Sequence, residues 1–335
     1  MQNRPLVSIL LPNLNTRPFL EERMSTILNQ SYTNWELIIA DSYSDDGAWE
    51  YLKEFADNDD RITAYQLPKG LYQAWNSCIE KAKGEYIYVA TSDDSMALEC
   101  IEQMVNALEA HPECDICDSL LKVIDEEDNE LPMLQYTYRD HIDFDPNKRH
   151  IRPFLHDCFL QLAGGTVYTS ITQILIRRSL FGKTGDFSLE CDSAADLDWG
   201  LKASIFANVV YLPNKLATWR IHKSQISKLD PRFSAYDVII KSSHDIYNLL
   251  AKKKDKNISR LISFLAYSKF IAEIRTSSSL LNKFYLTISY LFFHPKELIC
   301  IPLLILCKIY HTGSILQLIL YRGKKYAKYV PVKYL

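Results

Sequence analysis

The chain, 335 residues long, reads as an α/β protein built on a mostly parallel sheet with helices on both faces. Three observations predict this. Short apolar, β-prone runs alternate with amphipathic helical stretches over the first hundred residues, the pattern of successive βαβ units. The strand-like runs end in polar loops holding Asn15, Asp41 and Asp93, and an open α/β sheet gathers its ligand at strand carboxyl ends. The stretch Tyr86-Ile-Tyr-Val-Ala-Thr-Ser-Asp-Asp94 runs from a strand buried on both faces straight into two adjacent carboxylates.

The elements follow in order. Residues 6–11 read as a buried first strand closed by Pro12, and Pro12-Asn-Leu-Asn15 as a turn. Between Phe19 and Asn29, Leu20, Met24, Ile27 and Leu28 recur at helical spacing. Residues 35–40 form a second strand, which ends at Asp41 in the polar run Asp41-Ser-Tyr-Ser-Asp-Asp-Gly47. A helix with Trp49, Leu52 and Phe55 on one face follows, then a strand over 62–67 and a helix opened by Gly70 and ended by Gly84. After the Asp93 strand come a helix over 97–110, a strand over 115–124 and a polar, Asp-rich insert over 125–150. A strand over 171–176 ends in Arg177 and Arg178. A helix from Asp196 carries Leu197, Leu201 and Ile205, its first-turn acid favoured by the macrodipole. Residues 209–212 and 217–222 read as two closing strands.

Two carboxylates at one strand end repel unless a cation lies between them, so Asp93 and Asp94 suggest Mg²⁺ or Mn²⁺. A solvated Asp-Asp turn is the plain alternative. Neither G-x-G-x-x-G nor G-x-x-x-x-G-K-[ST] occurs. A diphosphate bound here would therefore be neutralised by a metal and not cradled by a glycine-rich backbone loop.

Hydrophobic content of 47% with 24% charged residues is ordinary for a globular protein. The net charge of −3 hides an asymmetry: residues 241–335 carry sixteen Lys or Arg against four Asp or Glu, and the first 240 carry 22 against 37. A basic tail meets something anionic. Its longest unbroken apolar run, residues 298–307, is ten residues and includes Pro302, short of the roughly 20 that a spanning helix needs. Interfacial helices over 284–293 and 298–320, followed by the Arg322–Lys333 cluster, suit a membrane surface. A helical subdomain packed on the core, or a homodimer contact, is the alternative. A nucleic-acid partner is disfavoured, because the tail mixes its charge with long aliphatic runs. The scattered cysteines include one close pair, Cys114 and Cys117, with no second half to complete a zinc site, so buried free thiols in a reducing cytosol are expected. The run 6–11 is too short for a signal peptide, and the expected location is the cytosol, at the inner face of the plasma membrane.

Several blocks in order resemble the inverting glycosyltransferases of family 2, which have the GT-A fold. They are Val7-Ser-Ile-Leu-Leu-Pro-Asn-Leu-Asn15, Asn29-Gln-Ser-Tyr-Thr-Asn-Trp-Glu-Leu-Ile-Ile-Ala-Asp41, Ser44-Asp-Asp-Gly47, Lys69-Gly-Leu-Tyr-Gln-Ala-Trp-Asn76, Ala82-Lys-Gly-Glu-Tyr-Ile87, Ala195-Asp-Leu-Asp-Trp-Gly-Leu-Lys202 and Trp219-Arg-Ile-His222. The match covers roughly residues 5–228 and implies a GT-A domain over 1–230 with a helical extension over 231–335. It also implies transfer from a nucleotide-sugar, UDP-linked, to a glycan or polyprenyl-diphosphate-linked acceptor in bacterial surface polysaccharide synthesis. By resemblance Asp41 accepts from the base beside Pro12, Asn13 and Asn15, and Ser92 belongs to the nucleotide site. Asp93 holds Mn²⁺ or Mg²⁺ on the diphosphate, with His222 as a further ligand or diphosphate contact and Arg220 supporting it. Asp94 holds the loop or the ribose, and Asp196 is the general base; Asp46 matches a loop position or caps the next helix. Asp198 is taken as structural. Thr91 stands where the family's D-x-D motif has its first aspartate, which keeps open a catalytically inactive sugar-nucleotide-binding or scaffold protein.

Overall fold

The computed structural model describes residues 4–132, 144–164, 167–223 and 331–335, with seven positions between 238 and 258. Its strands make one sheet in the order β10-β7-β9-β6-β8-β4-β1-β2-β3, with β5 beside β9. The amino-terminal half is parallel. β1 (Val7–Asn13) lies between β2 (Trp35–Asp41) and β4 (Tyr86–Val89), and β3 (Ile62–Gln66) lies outside β2. The crossovers are α1 (Leu20–Leu28), α2 (Ala48–Asn58) and α3 (Leu71–Lys81).

The two-residue period of each strand sorts its side chains into two cores. Val7, Ile9, Leu37, Ile39, Tyr86 and Tyr88 pack with Leu20 and Met24 of α1 and Leu52 of α2. Leu10, Ile38, Ile87 and Val89 pack on the opposite face with Ala74, Trp75 and Cys78 of α3. Burial on both faces is why these strands are largely apolar without regular polar alternation; the polar exceptions Ser8 and Glu36 stand opposite each other and are hydrogen-bonded at 2.6 Å. Each fully buried aliphatic side chain contributes about 1.5–3 kcal/mol, and a one-residue slip would carry every one of them to the wrong face.

The other half is mixed. After β5 (Ser95–Met96) and α4 (Cys100–Ala110) comes β6 (Ile116–Ile124). β7 (His150–Arg152), α5 (His156–Gly164), β8 (Ile174–Arg177), α6 (Phe181–Thr184), α7 (Ala195–Ala203) and β9 (Val209–Arg220) follow. β8 runs antiparallel to both β4 and β6, joining the halves, while β6 and β9 are parallel. The last residues return to the sheet edge as β10 (Lys333–Tyr334), antiparallel to β7. Under this edge Arg152 pairs with Asp118 at 2.7 Å and Asp157 at 2.8 Å, all three buried.

Four elements differ from expectation. β1 continues through Pro12 to Asn13, with Pro12 opposite Ala40; one residue from the strand end, the missing N–H costs little of the ladder. The strand expected over 171–176 begins only at Ile174, because Ser170 and Gln173 form a capping box that winds Ile171–Gln173 into a 3-10 turn. The two closing strands are one, β9, whose register against β6 shifts on both sides of Leu120, so that the Pro213-Asn214 pair is absorbed as a bulge. The helix expected over 97–110 starts at Cys100, since Ser95 and Met96 pair with β9.

Cys114 and Cys117 are buried free thiols. Among the described residues no helix is long and apolar enough to cross a membrane. The stretches 284–293 and 298–320, where interfacial helices are expected, lie outside the described residues.

Candidate functional site

The loops after β1 and β2 are laced together at the carboxyl edge of the parallel strands. Asp41 is fully buried, and its carboxylate takes four hydrogen bonds. Asn13 Nδ2 donates at 2.7 Å and Ser44 Oγ at 2.6 Å to Oδ2, while Ser44 N at 2.9 Å and Gln66 Nε2 at 3.1 Å donate to Oδ1. Asn15 has φ +52°, a left-handed conformation that asparagine tolerates. In it the backbone N–H donates to Ser44 Oγ at 2.9 Å, and the side-chain oxygen accepts from Asp45 N at 3.0 Å. Asp46 holds the turn into α2, accepting from Ala48 N at 3.0 Å and Arg17 N at 2.8 Å. Pro12, Asn13, Asn15 and Asp41 thus form one connected floor. Asp41, expected to face a ligand's base, is filled by the protein's own donors.

The turn after β4 divides its two carboxylates sharply. Asp94 is buried and points inward. It accepts from Thr91 Oγ1, from Arg220 N at 2.9 Å, from Ser170 Oγ at 3.4 Å and from Thr172 Oγ1 at 3.5 Å. Burial, and then the adjacent Asp93 charge, push its carboxyl above the usual range. Asp94 therefore holds the loop, one of the two roles expected of it. Arg220 braces the same turn: its Nε donates to Asp93 O at 3.2 Å, Nη1 pairs with Asp128 at 2.6 Å and Nη2 with Glu22 at 2.5 Å. Ser92 is buried within the turn.

Asp93 turns the other way, its side chain 22% exposed, and Oδ2 lies 2.9 Å from His222 Nε2. The imidazole packs against Phe19, ring centroids 4.9 Å apart. The two side chains hydrogen-bond each other directly, and a carboxylate oxygen beside an imidazole nitrogen is a donor pair that a divalent ion such as Mn²⁺ would accept. Among the described residues no group of three or more His, Cys, Asp or Glu is placed to hold a metal.

Asp196 stands in the first turn of α7, partly buried. Its Oδ1 accepts from Leu197 N at 2.8 Å and from the Tyr72 hydroxyl at 3.4 Å. Burial raises its pKa above that of an ordinary aspartate. Asp198 faces the interior, accepting from Lys202 Nζ at 2.8 Å and Ser242 Oγ at 2.6 Å. Ser242 belongs to the chain after residue 230, where Val238, Ile246 and Leu250 are also buried. Lys241 pairs with Glu190 at 2.6 Å, so this stretch is bolted to the approach and first turns of α7.

The structure joins Asn13, Asn15 and Asp41 in one network and Asp93, Asp94, Arg220 and His222 in a second. Asp196 is tied to Tyr72 of α3, with no bond to either network among the described residues. Sequence reasoning missed Gln66, Ser44, Ser170, Thr172, Tyr72 and Arg23. Arg23 is fully buried, and its Nε donates to Thr91 O at 2.8 Å. The signal available for it was a charged residue on the apolar stripe between Leu20, Met24 and Ile27, which helical spacing puts inward.

The model of the family described as "Glycosyl transferase family 2" matches residues 8–185. TuaG of Bacillus subtilis (strain 168), provisionally named a teichuronic acid biosynthesis glycosyltransferase, is 34% identical over 104 residues, 30% of this chain and 41% of that protein. WfgD of Escherichia coli is named as a UDP-Glc:alpha-D-GlcNAc-diphosphoundecaprenol beta-1,3-glucosyltransferase. It is 30% identical over 103 residues, 31% of this chain and 41% of its own. The match thus spans about two fifths of the length of these relatives. The S. aureus TarS 1-349 structure in complex with UDP-GlcNAc shares the fold at TM-score 0.61 and 15% identity, over 85% of this chain and 79% of that one. The α/β architecture is thus that of the GT-A transferases, and with more than half of its length matched the chain belongs to glycosyl transferase family 2.

Proposed function

We propose that this glycosyltransferase is metal-dependent and inverting. It moves a sugar from a nucleoside-diphosphate sugar, UDP-linked, to a hydroxyl of a glycan or polyprenyl-diphosphate-linked acceptor in bacterial surface polysaccharide synthesis. The observation that carries the reading is Asp93 Oδ2 and His222 Nε2 at 2.9 Å, at the carboxyl end of β4. A mixed oxygen and nitrogen pair suits Mn²⁺ better than Mg²⁺. The ion, when bound, neutralises the leaving diphosphate.

The rest falls to the chain. The Asn13–Asp41–Ser44 floor receives the nucleoside, a base N–H taking the place of Gln66, the longest of the four bonds on Asp41. Arg220 and Asp94 hold the turn so that Asp93 faces outward. Asp196 takes the acceptor's proton as its oxygen attacks the anomeric carbon. Thr91 replaces a carboxylate in the metal motif, but its hydroxyl is engaged with Asp94 and Asp93 keeps a partner in His222. Relatives named for teichuronic acid biosynthesis and for a diphosphoundecaprenol-linked acceptor support the acceptor class, and the basic tail supports attachment to an anionic membrane surface.

A thermal-shift screen of nucleotide-sugars with Mn²⁺ tests the donor, since stabilisation grows with affinity. One UDP-sugar should raise Tm only with the metal present. Transfer should then vanish in Asp93→Ala and Asp196→Asn; full activity in both would sink the reading.

A further inference from the structure

We propose that Tyr72 is a positioning residue for Asp196, fixing the carboxylate so that Oδ2 is the oxygen that receives the acceptor's proton. The inference rests on the assignment of Asp196 as base and goes beyond it. Among the described residues, the hydrogen bonds from Leu197 N at 2.8 Å and from the Tyr72 hydroxyl at 3.4 Å fall on Oδ1, and the residue's own backbone N–H also acts on the carboxylate. Leu197 N comes from α7 itself, and alone it would leave the carboxylate free to rotate about its own axis. Tyr72 comes from a different element, the first turn of α3, and supplies the second anchor.

The tyrosine is itself held. The residue is 6% exposed, its ring packed edge-on against Trp75 with centroids 5.1 Å apart and tilted against Phe187 at 5.9 Å. Asn76 in turn clasps the Phe187 backbone, donating to Phe187 O at 2.9 Å and accepting from Phe187 N at 3.0 Å. Burial, and then the Asp196 charge, hold the phenol proton on well above its usual range, so the hydroxyl remains a donor at any working pH. Among the described residues, the groups that act on the Asp196 carboxylate are the Tyr72 hydroxyl and the backbone of its own turn.

The step balances simply. The acceptor O–H proton passes to Oδ2, the acceptor oxygen bonds to the anomeric carbon, and the bond from that carbon to the diphosphate breaks, with its electrons leaving on the nucleoside diphosphate. A donor on Oδ1 favours the charged carboxylate and is maintained throughout.

The test reads Asp196 directly and needs no substrate. Protein with ¹³C-carboxyl aspartate is titrated by NMR, the Asp196 signal being identified by its loss in Asp196→Asn. Tyr72→Phe should move the Asp196 midpoint to higher pH with little change in Tm. Site-specific 3-fluorotyrosine at position 72, a more acidic donor of nearly the same shape, should move it lower. This order, Phe above Tyr above fluorotyrosine, is one that a packing defect does not produce, and it stays readable if the Phe variant folds poorly. An unchanged midpoint across the series overturns the proposal and leaves the base assignment standing. Full transfer by Asp196→Asn would instead overturn the base assignment.

Discussion

Asp93 Oδ2 and His222 Nε2 meet at 2.9 Å although 129 residues separate them. The end of β4 supplies one and the end of β9 the other. Arg220, two residues before the histidine, ties the ends together by binding the Asp93 carbonyl and presenting its own N–H to Asp94. If this pair holds the metal, His222→Ala should weaken Mn²⁺-dependent UDP binding by about tenfold or more, as loss of a ligand or its close support does. Titration calorimetry of UDP with and without Mn²⁺ reads the effect. Equal affinity in the variant and the parent would remove His222 from the metal site.

Asp196→Asn keeps the shape and removes the base. Transfer should fall by about 10²–10⁴-fold, the usual contribution of a general base, while the donor's thermal shift persists. The base must be deprotonated to act, and burial raises its pKa. The acid limb of the parent's rate profile should therefore lie above the pH at which an exposed aspartate titrates, with activity lost as pH falls through it. A profile flat down to the ordinary aspartate range would exclude Asp196 as the titrating group.

Asp41→Ala should cost both stability and nucleotide binding. It leaves Asn13, Ser44 and Gln66 donors without their acceptor in a buried floor, at about 1–3 kcal/mol for each group that finds no substitute. Tm should drop by several degrees, given about 2–4 °C per kcal/mol for a domain of this size. Retained UDP affinity alongside the lower Tm would mean that the floor supports the sheet only.

Arg152→Met tests the buried ion cluster at the sheet edge. The side chain's volume is roughly kept, but Asp118 and Asp157 lose the charge between them. Breaking a buried pair from one side costs about 3–5 kcal/mol, so a denaturant midpoint well below the parent's is expected. A variant as stable as the parent would show that the carboxylates relax to other partners.

Deleting the tail would also delete β10, and with it the Leu335 N–H bond to Arg149 O at 3.1 Å on the sheet edge. Charge reversal at Arg322, Lys324, Lys325 and Lys328 leaves those residues in place. It should release the protein from phosphatidylserine vesicles, at about 1 kcal/mol for each basic residue near the surface. Undiminished sedimentation with the vesicles would assign the tail to protein contacts.

The sequence by itself determined the parallel half of the sheet. Residues 7–11, 35–40 and 86–89 are apolar on both faces but for Ser8 and Glu36, and helices of one-sided periodicity connect them, so local pattern and tertiary environment agree. It also placed Asp93 and Asp41 at strand ends, where the apolar run gives way to polar loop residues. Only the tertiary structure decided what each carboxylate does. Asp93 and Asp94 are adjacent and chemically alike. One is outward beside His222 and the other inward on Thr91, Arg220 N and Ser170, because two distant segments, around residues 170 and 220–222, arrive at the turn. The same holds at Asp196, whose partner Tyr72 lies 124 residues away on another helix. Backbone periodicity is a property of neighbours in the chain, and a hydrogen bond between side chains from separate elements is a property of how those elements pack.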